Sequence, residues 1–401
     1  MIESGSRSSL HHARFVQPTV PAFWLFVLTV ALTGIIAVGE QNLFRELSPG
    51  GWALSWALVA LYAAPVATLI YLLDLFEREP IPLLVAAFVW GAVAATTLSA
   101  IGNAGWAVVV LRLGGAGFAT TWSAALTAPF VEETLKGVGV VLLALIARDE
   151  FDDRIDGFVY GALCGLGFAV VEDVFYFMAV FGGEVEGVLQ GFFVRVLASG
   201  LYSHVLYTGL VGMAVGIVAG RRDPRPTGRR LRDAAPLVAA AVVGHFLWNS
   251  PILDLFPAHP WTGAEWALIP VATAVKGLPL LLFVVVAVSL AHAGQRRWVA
   301  EALAPEVDGS AVTAEEVGVL RTPRARRRAR AEMRRRAGDR AGRLLGRLQR
   351  EQVNLAMVRS RVQDDGDPAL VRQRAICRSV RSALVAIPGA LPAAGASPSR
   401  R

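Results

Sequence analysis

Long apolar runs separated by short polar breaks occupy the chain at about 22–38, 52–73, 83–101, 119–147, 157–180, 192–219, 234–250 and 267–292. Each has about 17 residues or more, enough for a helix to cross a hydrocarbon core of ~30 Å. The pattern predicts an all-α, polytopic transmembrane helix bundle of about eight spans, with 22–293 as one membrane domain. Ahead of it, 1–21 is a short polar segment with Arg7 and Arg14. Ala37-Val38-Gly39 resembles a peptidase site, but full spans follow, so the first run is read as a retained signal anchor. Behind it, 294–401 is an arginine-rich tail. Its 313–363 portion has helical composition, with Leu344, Leu348, Leu355 and Val358 as a rough apolar stripe. The end, IPGALPAAGASPSRR, has the composition of a disordered segment.

Arginine placement orients the bundle. The connections 39–51, 102–118, 181–191 and 251–266 carry only Arg45 and Arg112. Those on the opposite side carry Arg78, then Arg148 and Arg154, then six arginines in RRDPRPTGRRLR at 221–232. The second side is therefore expected to be cytoplasmic in the cell membrane, with both termini and the tail. The formal charge of +7 hides a split, because 23 arginines against 11 acids from Gln295 onward give +12 and leave −5 for residues 1–294. A basic helix beside a membrane is expected to meet anionic lipid headgroups. Nucleic acid is not an expected partner, since no aromatic interleaving or recognition motif accompanies the arginines. Cys164 and Cys377 are the two cysteines, far apart, so neither a disulfide framework nor a thiolate metal site is implied.

Ionisable residues interrupt four successive spans. Glu132, Glu133 and Lys136 lie three and four apart, on one helical stripe where the lysine can offset one carboxylate. Glu172 lies one turn after Phe168, with Asp173 beside it; His204 follows in LYSHVLY, and His245 and Asn249 share a face in GHFLWNS. Counted from the estimated ends at 147, 157, 219 and 234, Glu132, Glu172, His204 and His245 lie 11–15 residues in, about 17–23 Å at 1.5 Å per residue. Chance would scatter them. Groups that cost ~2.5–3.5 kcal/mol each to bury in lipid persist where they pair, line a polar cavity or react. Lys276 falls at a similar level as a second counter-cation. Tyr202, Tyr207 and Trp248 read as packing or interfacial residues, and Arg195 as an anchor for the outer end of its helix.

These residues resemble a known family. Glu132-Glu133-x-x-Lys136, Phe168-x-x-x-Glu172, His204 and His245-x-x-x-Asn249, in this order on successive spans, are similar to the PrsW intramembrane proteases, relatives of the CAAX prenyl and CPBP membrane endopeptidases. The loop DLFEREP (74–80) and the run holding Phe88, Trp90 and Gly91 add to the likeness, which covers roughly residues 60–292. CAAX enzymes usually have arginine where this chain has Lys136 and histidine where it has Glu172, which argues against a prenylated substrate.

The resemblance implies an intramembrane endopeptidase with a metal-independent glutamate mechanism and no cofactor. Glu132 would be the general base, with His204 or His245 orienting the water and His245 with Asn249 meeting the oxyanion. Glu133 and Lys136 would set the pocket's charge, and Glu172 would hold a histidine tautomer or share a proton. It also implies a single-span substrate such as an anti-sigma factor. Zinc stays open, since two histidines and up to three glutamates can ligate it. No His-Glu-x-x-His or Gly-x-Gly-Asp occurs. Two other readings are a proton-coupled transporter, since Glu and His chains also build proton relays, and a scaffold held by a structural ion pair. No inverted repeat between the chain halves supports transport.

Overall fold

The computed structural model describes residues 15–76, 78–223, 225–252, 269–307, 310–362 and 364–390. The segment before residue 15, most of the 251–266 connection and the tail after residue 390 lie outside them. Every named element among the described residues is helical. Two compact units are formed, residues 1–288 and 289–401.

In the first unit, α1 (Pro21–Leu47) and α2 (Pro49–Leu73) both begin with a proline, whose missing N–H costs nothing in a first helical turn. Trp52 and Trp56 of α2 both donate to the Gln41 side chain of α1 at 3.0 Å, closing the pair. Next come α3 (Ile81–Val89), a wider turn at Trp90–Ala95, and α4 (Thr96–Ile146). Gly115 has φ 77 and ψ 171, a conformation open to glycine, and breaks α4 into arms 96–114 and 116–146. The arms run antiparallel: Gly102 lies against Val131, and Asn103 bonds Glu132. The expected 102–118 connection is therefore helical apart from this one reversal.

At the centre is α5 (Arg154–Phe175), buried continuously from Ile155 to Val170. A helix that is apolar all round belongs inside. It packs against α2, α3, α4 and α7 (His204–Ala219), and α7 packs in turn on α8 (Thr227–Asn249). Small residues make the α5–α7 contact close, since a Cβ on Gly161 would lie 2.3 Å from the Thr208 carbonyl oxygen. Gly161→Val is expected to destabilise the unit by at least ~1–3 kcal/mol, read as a lowered unfolding midpoint in detergent.

Among the described residues, six helical stretches are long and apolar enough to cross a membrane: Pro21–Leu47, Pro49–Leu73, Ile81–Ile146, Arg154–Val180, Thr227–Asn249 and Ile269–Glu306. The expected single span at 192–219 is absent. Instead α6 (Val185–Phe192) leads through a wider turn at Phe193–Ala198 and a short Gly200–Tyr202 turn to α7, which starts at His204. Ser199, Gly200 and Ser203 break the helix, and Ser199 donates back to the Val194 carbonyl. At 16 residues α7 extends only ~24 Å.

The second unit contains α10 (Ala314–Leu320), α11 (Pro323–Arg361) and α12 (Pro368–Val385), after the end of α9 (Ile269–Leu303). Leu348, Val380, Leu384, Ala341 and Ala390 form its core, with Met333, Leu344 and Ile387 packed against them. The expectation of disorder from Ile387 onward thus fails for its first residues, because Ile387 and Ala390 bury apolar surface there. Leu355 and Val358 of the expected stripe are buried too. Both cysteines are free and buried.

Candidate active site

Four elements bring the intramembrane polar residues together. The arm 116–146 supplies Glu132, Glu133 and Lys136, all buried. From α5 come Phe168, Glu172 and Asp173, from α7 His204, Tyr207 and Thr208, and from α8 His245 and Asn249. Ligand-type atoms of Glu132, Glu133, His204 and His245 all lie within 4.8 Å of one another.

Lys136 organises the cluster. Its Nζ lies 2.6 Å from Glu133 Oε1, 3.5 Å from Glu132 Oε2 and 2.9 Å from His204 Nδ1. It also sits 4.0 Å from the centre of the Phe168 ring. An ammonium only donates, so His204 Nδ1 accepts and the ring proton resides on Nε2, where it meets Glu172 Oε2 at 3.0 Å. Glu172 thereby holds the tautomer. His245 Nδ1 faces Glu133 Oε1 at 3.1 Å, and its ring stacks on Tyr207 with centroids 4.7 Å apart and planes 5° apart.

The paired glutamates differ. Glu133 receives Lys136, His245 and the Thr208 hydroxyl (2.9 Å), so both of its oxygens are engaged. Glu132 receives the Asn103 amide on Oε1 at 3.0 Å. Its Oε2 has looser neighbours: Lys136 at 3.5 Å, His204 at 3.8 Å and His245 Nε2 at 3.8 Å. Glu132 lines a cavity of about 890 Å³ with Glu172, His204, His245 and Asn249. That volume lies within the usual ~300–1,000 Å³ of ligand-holding clefts. Asn249 joins the cavity wall one turn beyond His245.

Three residues make contacts in the cluster that the sequence did not lead one to expect. Arg195, expected to anchor the outer end of its helix, bonds Glu172 at 2.6 Å and Asp173 at 2.7 Å and stacks over Tyr176. Its signal was an arginine in an apolar run with two adjacent acids on a neighbouring span. Asn103 lay inside what read as a connection. Tyr207 is more than packing, since it is the ring against which His245 rests. Lys276 is no counter-cation to this cluster; it donates to the Trp248 and Ser250 carbonyls at 3.3 and 2.8 Å, at the end of α8.

Two imidazoles and two carboxylates are a zinc-type donor set, and zinc would sit ~2.0–2.2 Å from each. Here the Lys136 ammonium stands among them, at hydrogen-bond distance from Glu133 and His204. Its positive charge opposes a divalent cation, and it engages lone pairs of Glu133 and His204 that a metal would need. The residues as arranged do not fit a metal ion.

Residues 79–290 match the family model described as PrsW family intramembrane metalloprotease. "Protease PrsW" of Bacillus subtilis (strain 168) is 28% identical over 169 residues, 41% of this chain and 69% of that protein. "Protease PrsW" of Geobacillus kaustophilus (strain HTA426) is 30% identical over 164 residues, 40% of this chain and 66% of that protein. No solved structure matches the chain.

Proposed function

This chain belongs to the PrsW family of intramembrane proteases, and we propose that it hydrolyses a peptide bond of a membrane-protein substrate with a water activated by Glu132. The carrying observation is the asymmetry of the glutamates. Glu133 is saturated by three donors, while Glu132 keeps one oxygen loosely held on the cavity wall. A water there touches the carboxylate and lies near both imidazoles. Glu132 takes its proton as the oxygen attacks the carbonyl carbon, then returns a proton to the leaving amine.

The remaining roles follow from donor geometry. His204, with its proton committed to Glu172, presents an acceptor to Lys136 and keeps the ammonium in place. His245 commits Nδ1–H to Glu133, so its Nε2 donates to an oxyanion only as the imidazolium, with Asn249 supplying a neutral amide donor beside it. Substrate inside a membrane must have its backbone groups satisfied. Ser99 Oγ, Ser123 Oγ and Asn103 Oδ1 are buried without hydrogen-bond partners among the described residues, and all three residues line the cavity. They suit an unwound, extended substrate segment. Arg195, paired to Glu172 and Asp173, ties the α6 segment to the site.

The finer reading is a multi-pass protein of about eight spans with both termini cytoplasmic, cutting a single-span regulator such as an anti-sigma factor near the outer face. In this reading α4 counts as two spans around Gly115. The test compares membrane proteomes of cells carrying the chain or its Glu132→Gln form. A single-span protein whose shortened fragment appears only with the active chain supports the proposal, and identical fragment sets overturn it. In the same membranes, chelators are expected to leave cleavage unchanged, and purified protein to carry no stoichiometric zinc.

A further inference from the structure

The excess charge of the tail is concentrated in one structural piece. Between residues 321 and 350 there are 13 arginines against Glu332 and Asp339, so 13 − 2 gives +11 of the +12 carried from Gln295 onward. Gly338, at φ 83 and ψ 175, reverses α11 here. The arms fold against each other: Gly342 lies against Arg334, Gly346 against Arg330, and Gln349 donates to the Arg326 carbonyl at 3.4 Å. A helical hairpin results, with Arg324, Arg327, Arg328, Arg343, Arg347 and Arg350 exposed along its two arms.

Among the described residues, ion pairs within the unit offset little of this charge. Arg327, Arg334 and Arg350 crowd Arg330, and together with its partial burial they lower its proton affinity. Three carboxylates elsewhere in the unit are engaged by other arginines: Glu306 by Arg374, Glu316 by Arg381 and Asp365 by Arg359. On the hairpin, Glu332 is held by Arg335 and Arg336. Like charges gathered without counter-charge are costly unless an anionic partner supplies it.

We propose that the arginine hairpin at 321–350 is a docking surface for phosphate headgroups of an anionic lipid bilayer. Guanidinium forks match phosphate oxygens two at a time. Two features favour lipid over other phosphate-bearing polyanions. No Phe, Tyr, Trp or His occurs from 321 to 350, so no ring is available for stacking on single-stranded bases. The chain also enters this segment from α9, a helix long and apolar enough to cross a membrane, so the hairpin is covalently joined to a candidate span. Met333, Leu344, Leu345 and Leu348 are spent on the unit's own core, so the contact is electrostatic and does not insert into the acyl chains.

The hairpin lies beyond residue 290, outside the family match, and the proposal does not depend on the protease reading. The full chain, reconstituted in nanodiscs of phosphatidylcholine alone or with about one third phosphatidylglycerol, is digested briefly with trypsin. Cleavage within 321–350 is expected to be at least ~10-fold slower in the anionic discs at about 0.1 M salt, with protection lost near 1 M, where the screening length falls to ~3 Å. Replacing Arg327, Arg330, Arg334 and Arg350 with Gln should remove the protection at the remaining arginines, and the same four changed to Lys should retain much of it. Equal cleavage of the unsubstituted chain in both discs overturns the proposal. So does protection on phosphatidylcholine discs by an RNA or DNA oligonucleotide where phosphatidylglycerol gives none.

Discussion

Glu132→Gln is expected to abolish cleavage, with a fall in turnover of ~10²–10⁴-fold and little loss of stability. The substitution keeps shape and volume. The amide that replaces the carboxylate still offers an oxygen to Asn103 and stays near Lys136, whose main partner is Glu133 at 2.6 Å. What disappears is the proton acceptor on the cavity wall. Glu133→Gln should behave in the opposite way, because it weakens the partner of a fully buried ammonium and of His245. Its signature is lost stability together with lost activity. Initial rates on the fragmenting substrate, paired with unfolding midpoints in detergent, separate the two. A Glu132→Gln protein that cleaves at an undiminished rate would end the assignment of Glu132 as base.

Lys136→Met should be the most destabilising single change in the site. It strands carboxylates at 4% and 3% exposure without their cation, and breaking a buried pair in this way costs ~3–5 kcal/mol. The cost should fall when Glu133 is neutralised as well, so that Lys136→Met with Glu133→Gln is less destabilising than the two single effects summed, by ~1–3 kcal/mol. Measured midpoints for the four proteins of this cycle give the coupling directly. Additive effects would mean that the lysine is not the counter-charge its geometry indicates. The same variant probes the metal question from the other side: with the ammonium gone, the two histidines and two glutamates are released as a donor set. Zinc content rising only in Lys136→Met would support the reading that the ammonium keeps metal out.

Much of this site was legible before any coordinates. Lipid forbids unpaired charge, so a Glu, Lys or His inside an apolar run is already informative, and a shared depth on successive antiparallel helices predicts that such residues meet. Residues at i, i+3 and i+4 place Glu132, Glu133 and Lys136 on one stripe whatever surrounds them. Helical class and the apolar runs were readable for the same reason, since the bilayer sets the length of an apolar element.

Breaks within apolar sequence were not readable. The Ser199–Ser203 stretch interrupts a helix without interrupting hydropathy, so His204 looked like mid-span, while the connection expected at 102–118 narrows to a single reversal at Gly115 and leaves Asn103 on a helix. Hydropathy is a sum over side chains, whereas a reversal is decided by one φ angle. The order of proton donors also required tertiary structure. Which glutamate is saturated, which nitrogen of His204 bears hydrogen and whether Arg195 faces lipid or Glu172 all depend on neighbours more than 20 residues away in the chain. Sequence alone placed acids, imidazoles and one ammonium on successive apolar runs at similar estimated depths. Only the fold decided that the ammonium sits between them and that Glu132 keeps a loosely held oxygen on the cavity wall, because hydrogen-bond saturation belongs to the assembled site and not to any one helix.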